Sequence, residues 1–539
     1  MENLEGLKSG AKKFLAAVRK AMLGEIWMAA ETLAAALFFL FRQEVAGVVF
    51  FVYVIAVKLI VSDDSLCGFL PFLLIGLMVL RLYDSFGRFM ALKFVLGVPA
   101  VLGVLFHFIF YRKAPHRGNL SKGYFFLSCA LALGGIFSLS FEHYISGTSL
   151  YYTYGLGFGL FFLYSLLVRG VNPREEYDIR EFVAKTAMYC AIYCIFMIVV
   201  FYIGNFRMIT NGEVIVIKGS GETISAFANA LNSISNNLST TVLLTMPFLF
   251  YLSRKGGARG ALCFAVGILE GFASVLTLSR GGMIFSSAMC IFLVCYTLWK
   301  DKEARKRDLV ILAAILVAAG CVAAVCHREA GILFREGVVS ANKWVTLAYF
   351  VAALGTVLIT AYIYYLFRLD DKKKRNAHIA ILSSCFVVGL SLFIVFFDEL
   401  KPFLIKLDYY RGNMVIIAAK NFKTYPFFGT GMGYRGLRTV YQNKEGMFGC
   451  YHCLPVQVVG SLGLFGVAAY LYMFRERLSS LKKSRDGEFA AAVLFSYLGL
   501  LWISMVEPGI FCPVVYGLQI AIYFIAAERT GNPVKNPEK

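Results

Sequence analysis

The stretch from Leu309 to Cys326 reads LVILAAILVAAGCVAAVC, eighteen residues without a charge. A helix needs about 17 to 25 mostly apolar residues to cross a bilayer, where every backbone polar group must be satisfied within the segment. Runs of this kind recur along the whole chain. They lie near 26–41, 45–62, 66–82, 90–111, 122–140, 148–168, 181–204, 236–253, 260–278, 282–299, 309–326, 344–368, 377–397, 452–474, 488–505 and 510–527. The first, the third and the close pair across 260–299 are short enough to merge or to be re-entrant, so the sixteen runs imply 12 to 16 spans. The expected fold is all-α, a polytopic integral membrane protein. Composition agrees: 59% of the 539 residues are hydrophobic, 16% are charged and the mean hydropathy is +0.69. A soluble chain of this length cannot bury that much apolar surface. The first apolar run lacks a small-residue cleavage site and leads directly into further spans, so no cleavable signal peptide is expected.

The basic residues set the orientation. Arg112, Lys113, Arg117 and Lys122 share one loop, and Arg254, Lys255 and Arg259 fill another. Further clusters run from Lys300 to Arg307, Lys372 to Arg375 and Arg475 to Arg485. With sixteen spans, all these loops and both termini fall on one side, which is expected to be the cytoplasm. At the N-terminus, Leu4, Leu7, Ala11, Phe14, Leu15, Val18 and Met22 share a helical face, with Lys8, Lys12, Lys13, Arg19 and Lys20 around it. Residues 1–24 therefore read as a basic amphipathic helix lying on the inner leaflet. The remaining divisions are a helix bundle over 25–397, an extracytoplasmic loop over 398–451, C-terminal spans over 452–527 and a cytoplasmic tail over 528–539.

The net charge of +20 is mostly explained by these inner loops and calls for no nucleic-acid partner. The outer loop is the exception. Between Asp398 and Tyr451, eight basic side chains (Lys401, Lys406, Arg411, Lys420, Lys423, Arg435, Arg438, Lys444) face four acidic ones (Asp398, Glu399, Asp408, Glu445). A basic outer face runs against the orienting bias and points to an anionic ligand. The run Cys450-Tyr451-His452-Cys453 does not read as a zinc site, because it crowds three ligands into four residues without a second ligand pair nearby. A disulfide from Cys450 or Cys453 to Cys512 stays open. No metal and no cofactor are expected.

Four segments carry candidate chemistry. Thr277-Leu-Ser-Arg-Gly-Gly282 puts Arg280 at the outer end of a span, at a turn that glycine makes tight. An arginine at that boundary either snorkels to water or is used, and its planar fork suits a phosphate. Next, Tyr409 to Pro426 holds apolar residues at helical spacing over Met414 to Asn421. This is read as a short surface helix with Arg411 near its anion-favouring N-terminus. The third, Pro426-Phe-Phe-Gly-Thr-Gly-Met-Gly-Tyr-Arg435, alternates Gly429, Gly431 and Gly433. It lacks the βαβ setting of a nucleotide loop, although such a turn lets backbone amides approach a diphosphate. The fourth begins at His452, the start of an apolar helix in which Gly460, Gly463 and Gly466 are read as close-packing positions.

In this order the four segments resemble the O-antigen ligase and polymerase superfamily of bacterial membrane glycosyltransferases. That family pattern has an SRG-type arginine at an outer helix end and an arginine-led amphipathic helix. A P-x-x-G-x-G-x-G loop follows, then a histidine opening a helix with a downstream GxxG segment. Asn236-Asn237-Leu238-Ser239, leading to Pro247, is similar to the family's Asn-containing element. The resemblance covers about residues 228–475; the first 200 match only as apolar helices. It departs at Cys453, where the family often has asparagine, and in an additional pair of spans between Arg280 and the large loop.

The resemblance implies a metal-independent enzyme of the GT-C type. Its donor would be a polyprenyl-diphosphate-linked oligosaccharide and its acceptor a hydroxyl of a glycan or lipid at the outer face. The residues suit that chemistry. Arg280 and Arg411, with Arg435 as a further contact, would stabilise the departing diphosphate. His452 would take the acceptor proton, and Gly429, Gly431, Gly433 and Asn237 would help to bind donor. Polymerase and ligase are not distinguished. The alternative is a lipid-linked oligosaccharide flippase or other transporter, for which Glu31, Lys58, His107 and Glu270 are the ionisable residues within spans. Glu270 is then either functional or a polar packing contact.

Overall fold

The structure is a computed structural model. It describes residues 16–81, 93–111, 118–137, 157–171, 178–204, 226–277, 279–325, 343–371, 409–432, 453–506 and 514–529, with 14, 373–378, 451 and scattered positions between 380 and 402. At 80–81, 93–94, 204, 226–236, 280, 343–346, 348–349, 409–411 and 514 only the backbone is described. Of the described residues, 87% are helical and none is in a strand, as an all-α polytopic membrane protein requires.

The helices are α1 (Glu25–Leu40), α2 (Glu44–Val61), α3 (Phe69–Arg81), α4 (Lys93–Phe110), α5 (Ser121–Leu133), α6 (Gly157–Gly170), α7 (Ile179–Gly204) and α8 (Ala226–Ser253). They continue as α9 (Gly257–Leu276), α10 (Arg280–Lys300), α11 (Arg305–Val325), α12 (Lys343–Arg368), α13 (Tyr409–Thr424), α14 (Leu454–Lys482), α15 (Gly487–Ile503) and α16 (Val514–Arg529). Every expected span except 377–397, of which only scattered residues are described, coincides with one of these helices. Among the described residues, seven helices are long and apolar enough to cross a membrane. They become eight if the short helix Ala16–Met22, bent by 54° from α1, is counted with it as one span. Residues 1–13 and 15 of the expected interfacial helix lie outside the described residues.

By packing, the chain forms two compact units that interleave in sequence: Met1–Arg117 with Leu166–Ala353 and Ile525–Lys539, and Gly118–Ser165 with Leu354–Phe524. In the first unit α7, α8, α9 and α10 pack together, and α2 packs on α3 and α4. Small residues permit the closest approaches. A Cβ on Gly103 of α4 would stand 2.8 Å from the Cα of Ala56 on α2. In the second unit α14 packs on α5, α13 and α15. Its residue Arg477 is 5% exposed. The guanidinium lies 4.6 Å from the ring centre of Tyr497, 5.6 Å from Phe524 and 5.9 Å from Tyr124, an aromatic cage that stabilises a buried cation.

Arginines close the C-terminal ends of alternate helices. Arg19 Nε donates to Val61 O at the end of α2 (2.7 Å), Arg307 Nη2 to Ser253 O at the end of α8 (3.3 Å) and Arg305 Nε to Leu298 O of α10 (2.7 Å). Arg375 Nη1 donates to Leu369 O just beyond α12 (3.2 Å), and Arg529 to Val168 O of α6. The last carbonyls of a helix lack intrahelical donors and carry its negative dipole end, so a guanidinium satisfies both. Several of these caps come from the basic clusters that set the expected orientation.

Glu31, Lys58, His107 and Glu270, the four ionisable residues singled out within spans, each have a polar contact to a neighbour. Glu31 and Lys58 form an ion pair at 2.5 Å and are 5% and 2% exposed. Lys58 also donates to Cys67 O at 3.0 Å, and Trp27 Nε1 donates to Glu31 at 2.8 Å. His107 Nδ1 lies 3.0 Å from Leu59 O. Glu270, fully buried on α9, is hydrogen-bonded to the Thr245 hydroxyl of α8, the packing contact between helices that was one of its two readings.

Candidate functional site

The candidate residues divide between the two units. In the first, Ser279 is the N-cap of α10, its Oγ accepting from Gly282 N at 3.1 Å, so the helix begins at Arg280. Only Thr277, Leu278 and Ser279 separate α9 from α10. The turn rests on α8. Ser239 Oγ lies 3.0 Å from Thr277 Oγ1, and a Cβ on Gly282 would fall 2.1 Å from Ser239 Oγ. Asn237 stands one turn before Thr241, whose hydroxyl donates to Asn237 O at 3.0 Å. The NNLS element and the TLSRGG turn, 38 residues apart at Ser239 and Thr277, are therefore one junction. The Arg280 side chain lies outside the described residues.

In the second unit the glycine loop is built into α14. That helix is broken at Gly463, where φ is 62° and ψ is −156°, a conformation essentially restricted to glycine. In an unbroken helix, Leu464 and Phe465 N–H would donate to the carbonyls of Gly460 and Ser461, four residues earlier. Here they donate to Pro426 O (2.8 Å) and Phe427 O (3.0 Å). The carbonyls released by the break accept from the same loop: Thr430 N donates to Gly460 O at 3.1 Å and Gly431 N to Ser461 O at 2.8 Å. Two helical hydrogen bonds are exchanged for four between helix and loop, so the two amides and two carbonyls concerned stay paired.

Glycine is required on both sides of this clasp. A Cβ on Gly463 would stand 2.5 Å from Pro426 O, and one on Gly429 (φ 60°) 2.3 Å from the carbonyl carbon of Ser461. A third segment joins at the end of α5. Gly135 N donates to Phe428 O at 2.8 Å, and the Phe428 ring lies between those of Phe137 (5.5 Å) and Phe465 (5.6 Å).

The clasp continues towards position 452. Gln457, fully buried one turn into α14, donates through Nε2 to Ser461 Oγ (2.7 Å) and Met432 Sδ (3.3 Å). Its Oε1 accepts from Tyr451 N at 2.8 Å. Tyr451 is 1% exposed, and its hydroxyl accepts from Asn421 Nδ2 of α13 at 2.8 Å. The apolar spacing read in Met414 to Asn421 supplies the contact face: Met414 and Ala418 of α13 pack on Tyr451, while Lys420 and Lys423 remain exposed. Cys453 is the N-cap of α14.

Gly429 and Gly431 are thus placed in the clasp, where their amides donate to Tyr425 O (3.0 Å) and Ser461 O (2.8 Å). That arrangement directs these N–H groups to the protein rather than to an anion. Gly460 is a close-packing glycine, its Cβ position 2.9 Å from the Tyr451 ring; Gly463 is instead the break. Arg411 belongs to the first turn of α13, with its side chain outside the described residues. His452, Gly433, Arg435, Cys450 and Cys512 lie outside them entirely. Sequence reading did not find Asn421, Tyr451, Gln457 or Ser461, which sit beside the motifs but carry no spacing signal of their own.

Among the described residues no group of three or more His, Cys, Asp and Glu side chains is disposed to hold a metal ion. No protein-family model, curated protein or solved structure matches the chain.

Proposed function

We propose that the chain is a bacterial membrane glycosyltransferase of the O-antigen ligase and polymerase kind. It would move glycan from a polyprenyl-diphosphate-linked donor to an acceptor hydroxyl at the outer face of the cytoplasmic membrane, as part of cell-surface polysaccharide synthesis. The observation that carries the proposal is the clasp. Two motifs of the resemblance, the glycine loop and the GSLGLFG segment, interlock through four backbone hydrogen bonds. The pairing of NNLS with TLSRGG in the first unit supports it in the same way. The arginine caps on α2, α8 and α10 in the first unit support the orientation expected from the basic loops.

In this reaction the acceptor oxygen forms a bond to the anomeric carbon while the bond from that carbon to the lipid diphosphate breaks. His452 receives the acceptor proton, and the electron pair leaves with the diphosphate, which Arg411 stabilises through charge-assisted hydrogen bonds. Arg435 contributes to donor binding. A positioned base contributes roughly 10²–10⁴-fold in rate. The test is transfer by purified protein in nanodiscs given a polyprenyl-diphosphate oligosaccharide, with products resolved by gel. The expected result is a ladder of longer lipid-linked glycans, or glycan moved to an added acceptor, lost in His452→Ala. Transport of the donor across the bilayer without transfer would establish the flippase alternative.

A further inference from the structure

Gln457 holds the chain on both sides of position 452. Its side-chain oxygen accepts from the Tyr451 amide (2.8 Å), and its backbone amide donates to the Cys453 carbonyl (2.8 Å). The orientation of its side-chain amide is fixed, because Tyr451 N can only donate and so takes Oε1, which turns Nε2 to Ser461 Oγ at 2.7 Å. Ser461 is held in turn, its carbonyl accepting from Gly431 N at 2.8 Å. A second line reaches the same residue from α13: Asn421 Nδ2 donates to the Tyr451 hydroxyl at 2.8 Å and to Thr430 Oγ1 at 3.4 Å. On the far side Leu454 N donates to Ser504 O at 2.7 Å, tying the first turn of α14 to the end of α15. Buried polar networks of this kind rigidify when every member is satisfied.

We propose that Gln457, assisted by Asn421 through Tyr451, is a positioning residue for the group at position 452, and that the glycine clasp exists to hold Gln457 in register. The inference rests on the proposed role of His452. A burial role alone does not call for a glutamine whose side chain accepts from the Tyr451 amide, since leucine or methionine fills the same volume in an apolar helix; the bond to Cys453 O is the ordinary backbone bond of the first helical turn. A reacting group displaced by about 1 Å loses on the order of 10²-fold in rate, which sets the scale of the expected effect.

The test is a double-mutant cycle on transfer in nanodiscs, using Gln457→Met, His452→Ala and the double variant. Gln457→Met, which keeps the volume and removes both hydrogen-bonding groups, is expected to lower kcat by 10- to 100-fold with KM for the donor unchanged. Gln457→Glu, which can still accept from Tyr451 N, is expected to recover most of that loss. In the His452→Ala background Gln457→Met is expected to have no further effect, because the residue it positions is gone. An equal loss in both backgrounds would overturn the positioning role and leave the function proposed for His452 standing. Full activity of His452→Ala would remove that function, and this inference with it.

Discussion

The α9–α10 junction and the clasp on α14 both depend on glycine, but on different neighbours. At the junction, Gly282 makes room for a side chain, the Ser239 Cβ and hydroxyl, while the helices on either side keep regular geometry and an ordinary N-cap. At the clasp, Gly463 and Gly429 make room for backbone, the carbonyls of Pro426 and Ser461, and the helix gives up its own hydrogen bonds to a segment 30 to 38 residues away. A side chain can be trimmed or rotated aside; a hydrogen-bonded peptide cannot. The first region should therefore tolerate paired substitutions, and the second should not.

The largest effect is expected at Gly463. Alanine there meets Pro426 O, takes a backbone conformation costing about 1–3 kcal/mol, and endangers four hydrogen bonds worth about 0.5–1.5 kcal/mol each. Gly463→Ala is expected to destabilise the protein by at least about 3 kcal/mol, read as a lowered thermal unfolding midpoint in detergent. Gly282→Ala comes next, at about 1–3 kcal/mol for an overpacked site. Adding Ser239→Gly, which removes both the hydroxyl and the Cβ that the new methyl group would meet, should recover part of that loss; no recovery would mean that the junction is as rigid as the clasp. The smallest effect belongs to Ser279→Ala, which removes the α10 N-cap and should lower stability by about 0.5–2 kcal/mol without disturbing the fold of the second unit.

The same contrast explains what the sequence could reveal. Apolar length alone located the helices, because crossing lipid is a local demand on consecutive residues. The tight turn between α9 and α10 and the short helix after Tyr409 were also legible, since adjacent glycines and helical spacing are local signals. The break at Gly463 was not. In sequence, Gly460-Ser-Leu-Gly-Leu-Phe-Gly466 has the spacing of close-packed transmembrane helices, and what distinguishes it is a pair of carbonyls contributed by Pro426 and Phe427. Gln457 and Asn421 were missed for the same reason: their partners are remote. The Glu31–Lys58 pair joins two helices, and neither stretch of sequence shows anything of its partner.

The clasp is the structural centre of the account, and amide hydrogen exchange in nanodiscs tests it most directly. Residues 426–432 lie in a loop, so without the clasp their amides should exchange quickly, whereas the amides of α14 are protected by the helix itself. The account predicts that Thr430 and Gly431 exchange as slowly as the buried part of α14, and that Gly463→Ala releases them to fast exchange. Fast exchange at Thr430 and Gly431 in the unaltered protein would contradict it.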